Sequence, residues 1–449
     1  MHLDTSAFLR VGTAGLALLV GLSACSTSTP AGSPSVSEPA PSESGPTPSA
    51  SPAVFATSAT GSLHWVDGTK VKVKQRDLGK AREAVAGSDF HKVFSTSKQQ
   101  SKDQLFIPLS LDTSGIPIGL YGPRAAAADY TTDGTRITPG QLNIGRYDSG
   151  TFQPFTTKGA PKKNYIPMNA NFGISTSSAG IIWSETTAGD TKDTNWRILH
   201  VPTGSNEVTV LASKKDLKSS DQSEDYQFVL NPLVVENRVY WEYYRYQHDE
   251  GSAIHKVFSV DFNAPGVVRE DIGNSVEGPS GNSDFWGAGL LSSALLEKDV
   301  ENGLVQVFSA YSLRGKRQEI LYLTQGPDGS SVATQIGANK PSFSLTHAES
   351  VFLVDTAKRE ALVFSGPKDS QVSGATQCGR ILSWTFINDG AEYATERYLF
   401  DSERNELLKV SGAQDTLSSW CTGDYLGWLA LDSTDAPTVV EDVITRWER

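Results

Sequence analysis

Five times along this chain a β-prone run, a small polar turn and a second β-prone run follow one another. The instances are "FGISTSSAGIIWSE" (172–185), "NPLVVENRVYWEY" (231–243), "LLEKDVENGLVQVFSAY" (295–311), "FSLTHAESVFLVD" (343–355) and "SWCTGDYLGWLALD" (419–432). A bulky aromatic sits at a similar point of the second run in several of them: Trp183, Trp241, Phe308 and Trp428, with Trp384 of "RILSWTF" a further match. A second kind of hairpin follows, as "WRILHVPTGSNEVTVLA" (196–212), "HKVFSVDFNAPGVVREDIG" (255–273), "EILYLTQGPDGSSVATQIG" (319–337) and "RYLFDSERNELLKVSG" (397–412), with "QLNIGRYDSGTFQPFTT" (141–157) a candidate earlier copy. The runs are rich in Val, Ile, Tyr, Phe and Trp and lie between clusters of Gly, Asn, Asp and Ser, which is strand and turn chemistry. Helical spacing is weak everywhere; the best stretch, Lys80 to Val93, is interrupted by Gly87. The fold class is therefore all-β.

Hairpin followed by hairpin makes a four-stranded unit that cannot bury both faces of its sheet alone, so copies must stack. Stacked radially, such units resemble a β-propeller, and the pattern is similar to the irregular propellers of secreted bacterial proteins. No Gly-His to Trp-Asp signature of the WD-repeat type is present. The count is about six blades. The long segment 342–412 contains an extra strand-like run, Ala361 to Ser365, which leaves seven open. Ring closure needs a strand from one terminus to complete a blade begun at the other, and "LHWVDGTKVKVKQ" (63–75) is the expected closing segment, paired with strands around 424–447.

The aromatic-rich stretch "RVYWEYYRYQHDEG" (238–251) has two readings. Period-two alternation puts Val239, Trp241 and Tyr243 on one face and Tyr240, Tyr244 and Tyr246 on the other. A blade is covered on both faces by its neighbours, so core packing is the preferred reading and a sugar-stacking platform is the rival. Tyr246, His248, Asp249 and Glu250 fall at or beyond the strand's end as a hairpin tip. With Trp286 of "GPSGNSDFWG" (278–287) they are the candidate binding residues.

The first residues carry the address. A polar start ending in Arg10 leads into fourteen largely apolar or small residues, Val11 to Ala24, and then Leu22-Ser23-Ala24-Cys25. This is similar to the lipobox of bacterial lipoproteins. The resemblance implies a signal peptide over 1–24, lipid on Cys25, and an extracytoplasmic body anchored to the cell membrane; a plain secretory signal is the competing reading. From Ser26 to Ala53, sixteen of twenty-eight residues are Ser or Pro, too little apolar surface to offset the entropy of ordering. A disordered linker is expected over 25–57, reaching roughly 85 Å as extended polyproline, with the propeller over 58–449.

Formal charge is −12 for the chain, of which −10 falls on the folded part. An acidic body does not hold a phosphate backbone through Lys and Arg, so nucleic-acid binding is set aside. Apart from Cys25, Cys378 and Cys421 form an even pair in an exported chain, most simply one disulfide, with two free thiols the alternative.

No two of the seven histidines have the i, i+4 spacing of helix-borne ligands. His248 and His255 flank a turn with Asp249 and Glu250, a weak surface metal arrangement, and neither metal nor cofactor is expected. There is no G-x-S-x-G elbow and no phosphate-binding Gly-rich loop. "TKDTNW" (191–196) resembles only faintly the Asp-box turn of sialidase-type propellers. The sequence thus favours a monomeric, surface-anchored binding or scaffold module for a protein, peptide or glycan. The alternative is a polysaccharide hydrolase or lyase with carboxylates at the channel mouth; fold alone does not choose.

Overall fold

The computed structural model describes residues 62–448 apart from 97–102, 124–140, 158–165, 168–173, 187–194, 223–226, 236, 248–251, 273–283, 286–288, 298–303, 313–316, 325–332, 389–395, 415–420 and 432–438. Cys25 and the Ser/Pro-rich segment lie outside the described residues. Seven separate sheets are present, each the blade of a propeller. Blade 1 spans Gln104–Pro154, blade 2 Ile166–Ser213, blade 3 Gln227–Ile272, blade 4 Asp284–Thr324, blade 5 Thr334–Ser365, blade 6 Ser370–Ser411 and blade 7 Ala413–Trp447. The expectation of about six is corrected to seven because 342–412 covers two blades. Ala361 to Ser365 belongs to blade 5's own fourth strand, Glu360–Ser365. The run 319–337, read as one hairpin, holds the third strand of blade 4 and the first of blade 5.

Packing between blades explains the aromatic pattern. Trp183, Trp241, Trp384 and Trp428 are each 4% exposed or less. Each joins the cluster formed with the preceding blade: Trp183 meets Ile118 and Leu109, Trp241 meets Ile182 and Trp196, Trp384 meets Phe364 and Val351, and Trp428 meets Ile381 and Leu399. Phe308 breaks the pattern, since it clusters with Phe343 of the following blade at 5.8 Å between rings. In blade 1 the second-strand aromatic, Tyr121, is only partly buried, and beside it stands Gly119, where a Cβ would fall 1.9 Å from the Ile107 carbonyl and 2.9 Å from the Phe106 ring. Phe106 fills the space from the first strand instead, against Phe94 and Tyr147.

The N-terminal segment does more than close the ring, and not where the sequence suggested. It forms four strands: β1 (Ser62–Trp65), β2 (Lys72–Arg76), β3 (Arg82–Glu83) and β4 (Phe90–Ser95). β1 pairs antiparallel with Arg317–Thr324 and supplies the outer strand of blade 4. β2 and β3 add parallel fifth strands to blades 5 and 6. β4 pairs antiparallel with Val439–Trp447 and completes blade 7. The expected pairing of 63–75 with 424–447 is thus overturned, and closure belongs to Phe90–Ser95. The stretch considered for a helix, Lys80 to Val93, instead holds β3, a turn and the start of β4, and touches a single 3₁₀ turn, Leu78–Lys80, only at Lys80.

This strap is fastened in two ways. Leu63, Trp65 and Val71 enter the core between blades 4 and 5, Leu78 meets the core between 5 and 6, and Phe90 and Ala84 that between 6 and 7. Polar fastening comes from two alike turns, "DTAKRE" (355–360) and "DSERNE" (401–406). In each the Asp carboxylate accepts two backbone N–H bonds, and the fifth residue, Arg359 or Asn405, sits at φ 53°. Arg359 donates to Asp67 and Thr69 at 2.7 Å, and Glu360 pairs with Lys74 at 2.5 Å. On the next blade Asn405 accepts from Arg76, and Glu406 pairs with Arg82 at 2.7 Å. Lys72, Lys74 and Arg76 also blunt the outer edge that β2 presents to solvent.

Candidate functional site: the channel and its two ends

The first strands of consecutive blades lie beside one another from blade 3 back through blades 2, 1, 7, 6 and 5 to blade 4, so they form the wall of the central channel. Their residues are Gln104–Leu111, Ile166–Pro167 with Ile174–Ser177, Gln227–Val235, Asp284–Phe285 with Gly289–Glu297, Thr334–Asn339, Ser370–Cys378, and Ala413–Gln414 with Cys421–Thr422. Ser, Thr, Gln, Asn, Gly and apolar residues make up almost all of this wall. Two carboxylates stand in it, Asp284 and Glu297, both in blade 4. Asp284 lies opposite Leu291, and Glu297 lies six residues further along that strand. At about 3.3 Å per residue the two positions are about 20 Å apart. Glycosidase pairs work at roughly 5–9.5 Å.

One end of the ring, where first strands turn into second and third into fourth, is tied by arginines. Arg380, in the turn of blade 6, bonds to Asp401, lies 3.3 Å from Asp424 of blade 7, and donates to the Glu448 carbonyl at 2.8 Å. Arg146 of blade 1 reaches Asp112 at 3.2 Å and, in blade 2, the Ser205 carbonyl and Asn206 at 2.6 Å, with Phe155 under its guanidinium. Both arginines are buried. Nearby, Arg82 brackets Asp89 with two bonds of 2.8 and 2.9 Å, and these hydrogen bonds hold the Asp89 carboxyl below the usual carboxylate range. A cavity of ≈ 10 Å³ among Asp89, Arg380, Asp401 and Trp447 is water-sized.

The opposite end receives the second-to-third turns and most connections between blades. Tyr246 is there, in the strand Arg238–Gln247, opposite Ala253. His248, Asp249, Glu250 and Trp286 lie outside the described residues. His255 lies opposite Tyr244. On the face shared with Tyr246, Tyr240 is 5% exposed, and on the other face Val239, Trp241 and Tyr243 are fully buried, which supports packing for this part of the stretch. Near this end, Glu185 and Arg197 of blade 2 form a buried pair at 2.6 Å, and the Trp183 indole donates to Glu185 at 3.1 Å.

Cys378 and Cys421 are joined as a disulfide, Cα to Cα 5.7 Å, between the inner strands of blades 6 and 7. Among the described residues no group of three or more His, Cys, Asp or Glu is placed to hold a metal. The sequence reading missed the arginine ties and the strap-holding turns; the repeat of "DTAKRE" as "DSERNE" was the available signal.

No family model matches this sequence, and no curated protein matches it. Similar solved structures include puromycin hydrolase, 11% identical with a TM-score of 0.45 over 80% of this chain and 57% of that one. A puromycin-hydrolyzing peptidase of Mycobacterium tuberculosis is 9% identical with a TM-score of 0.44, over 78% and 52%. The acylaminoacyl peptidase of Pyrococcus horikoshii is 10% identical with a TM-score of 0.41, over 82% and 54%. This chain spans about half the length of each. The blade count rests on the strand pairing given above.

Proposed function

We propose that this chain is an extracytoplasmic lipoprotein, held to the cell membrane through Cys25, whose propeller binds a protein, peptide or glycan at the end opposite the arginine ties. The observation that carries the reading is a channel wall of almost wholly uncharged residues, in which the two acidic positions, Asp284 and Glu297, are about 20 Å apart in register. Acid–base cleavage of a glycosidic bond needs two carboxylates on one sugar, whereas loops on a rigid ring are a common place for recognition. The ring is held by β4, the disulfide and the arginine ties.

Two measurements test this. Mass spectrometry of the mature protein from its membrane is expected to find lipid on Cys25; an unmodified Cys25 or a chain beginning at Ser26 removes the anchor. Incubation with purified cell-wall polysaccharide and wall peptides is expected to give saturable binding without release of new reducing ends. Turnover that is lost in Asp284→Asn or Glu297→Gln replaces the binding module with a hydrolase.

A further inference from the structure

We propose that the strap is a pay-out segment: load arriving along the N-terminal tether strips β1, β2 and β3 from the rim, while β4 stays seated and keeps the ring closed. The biological setting rests on the reading of Cys25 as the membrane attachment; the order of stripping does not.

Load enters at Ser62. β1 is the edge strand of blade 4, so a pull on its start directed away from the rim breaks the Ser62–Thr324 register first and then Leu63–Leu323, His64–Tyr322 and Trp65–Leu321 in turn. Under that pull the bonds are loaded one after another, as in a zipper. Resistance comes from Leu63, Trp65 and Val71, all buried against blades 4 and 5. Beyond them the hold is the two parallel ladders, with Leu78 and Ala84 at the edges of the cores. Lys72 to Gln75 of β2 and both residues of β3 are exposed. Their side-chain ties are the two turn sites, Arg359–Asp67 with Lys74–Glu360 and Arg76–Asn405 with Arg82–Glu406, whose ion pairs are open to solvent. Such pairs are weak and screened by salt.

The next strand differs in kind. β4 is paired from Phe90–Trp447 to Ser95–Val443. Phe90 packs on Trp447 at 5.0 Å and Trp428 at 5.5 Å, and Phe94 on Phe106 at 5.6 Å and Tyr147 at 6.2 Å. Buried Asp89, just before it, is tied to the retained blade through its carbonyl, which accepts from the Glu448 N–H at 3.0 Å. Stripping therefore stops at Asp89. The consequence is a buffer: when a ligand held by the ring and the membrane move apart, chain is released at the rim before the channel or the binding end distorts.

Optical-tweezers stretching of the unlipidated mature chain tests this directly, with handles on the Cys25 thiol and on Val267→Cys. Val267 is 66% exposed, in blade 3, so the load passes through the strap. The expected first event is reversible and releases at most about 95 Å of contour length, the extended reach of the residues from Ser62 to Ser88. Its rate at fixed load rises severalfold in roughly half-molar salt and in Arg359→Ala/Glu406→Ala, as exposed pairs require. A larger first event, taking β4 and blade 1 with it, overturns the proposal, as does strap release that occurs only together with global unfolding. A first event of the right size that ignores both salt and the double substitution overturns the part given to the turn sites. Because the stretched chain carries no lipid, failure here leaves the anchor untouched, and an unlipidated native Cys25 leaves the stripping order untouched.

Discussion

Replacing Trp241 separates its packing role from any part in recognition. The indole is fully buried between blades 2 and 3, 6.0 Å from Trp196 and 6.1 Å from Phe258 between ring centres. Its Nε1–H has no acceptor among the described residues. Truncation in Trp241→Ala loses the ring's burial and leaves a cavity, about 3–5 kcal/mol by analogy with other large-to-small core changes. In Trp241→Phe, part of the apolar burial is lost, but an unsatisfied buried donor worth about 1–3 kcal/mol of desolvation is removed with it. These terms oppose each other, so the net change is expected to stay within about 1.5 kcal/mol. If about 390 residues melt as one unit, unfolding entropy is about 0.8 kcal/mol/K, and Trp241→Ala lowers the melting temperature by about 4–6 °C. Trp241→Phe then lowers it by under about 2 °C. Calorimetry on the mature chain reads both, with glycan binding measured on the same samples. Equal destabilisation by the two variants refutes the unsatisfied-donor argument. An unchanged melt with lost glycan affinity in Trp241→Ala refutes the packing assignment and restores the sugar platform.

Other outcomes follow from the closure region. Asp89 has its pKa lowered in the fold by Arg82, so its stabilisation is present above the unfolded value near 3.9 and is lost as pH falls through the lower folded value. Acid unfolding of Arg82→Gln, followed by circular dichroism, is therefore expected to be less steep below about pH 4 than that of the parent, starting from a lower neutral-pH stability. His200 is kept neutral by burial, which lowers its pKa; stability is lost as pH drops below about 6.5, and His200→Gln is expected to flatten that part of the profile. Reducing the Cys378–Cys421 bond, which closes a separation of 43 residues, is expected to cost about 4 kcal/mol in the chain-entropy picture. Hydrogen exchange is expected to quicken first in Tyr425–Leu431 of blade 7; uniform quickening around the ring contradicts the local role of the bridge.

What could be read from the sequence depended on whether a strand has a buried face. Blade strands do: Trp183, Trp241, Trp384 and Trp428 recur because each fills the same crevice, so alternation and aromatic spacing exposed the units before any pairing was known. The strap has no such signature along β2, where Lys72, Val73, Lys74 and Gln75 are all exposed and alternation carries no meaning. Its partner is chosen by turns nearly 300 residues or more away, Arg359 on Asp67 and Glu406 on Arg82. Non-local pairing of that kind leaves only a paired motif, "DTAKRE" and "DSERNE", in which the same two positions hold successive parts of one strand-poor segment. Miscounting the blades had the same origin: Glu360–Ser365 is an interior fourth strand only because β2 covers it. The candidate binding residues His248, Asp249, Glu250 and Trp286 lie outside the described residues, the first three after a strand that ends at Gln247. No spacing in the sequence encodes a ligand, because which connections meet over the channel is set by ring order. The arginine ties, by contrast, become intelligible once the pairing is known: Arg146 and Arg380 each direct a buried guanidinium to carbonyls and carboxylates of two adjacent blades.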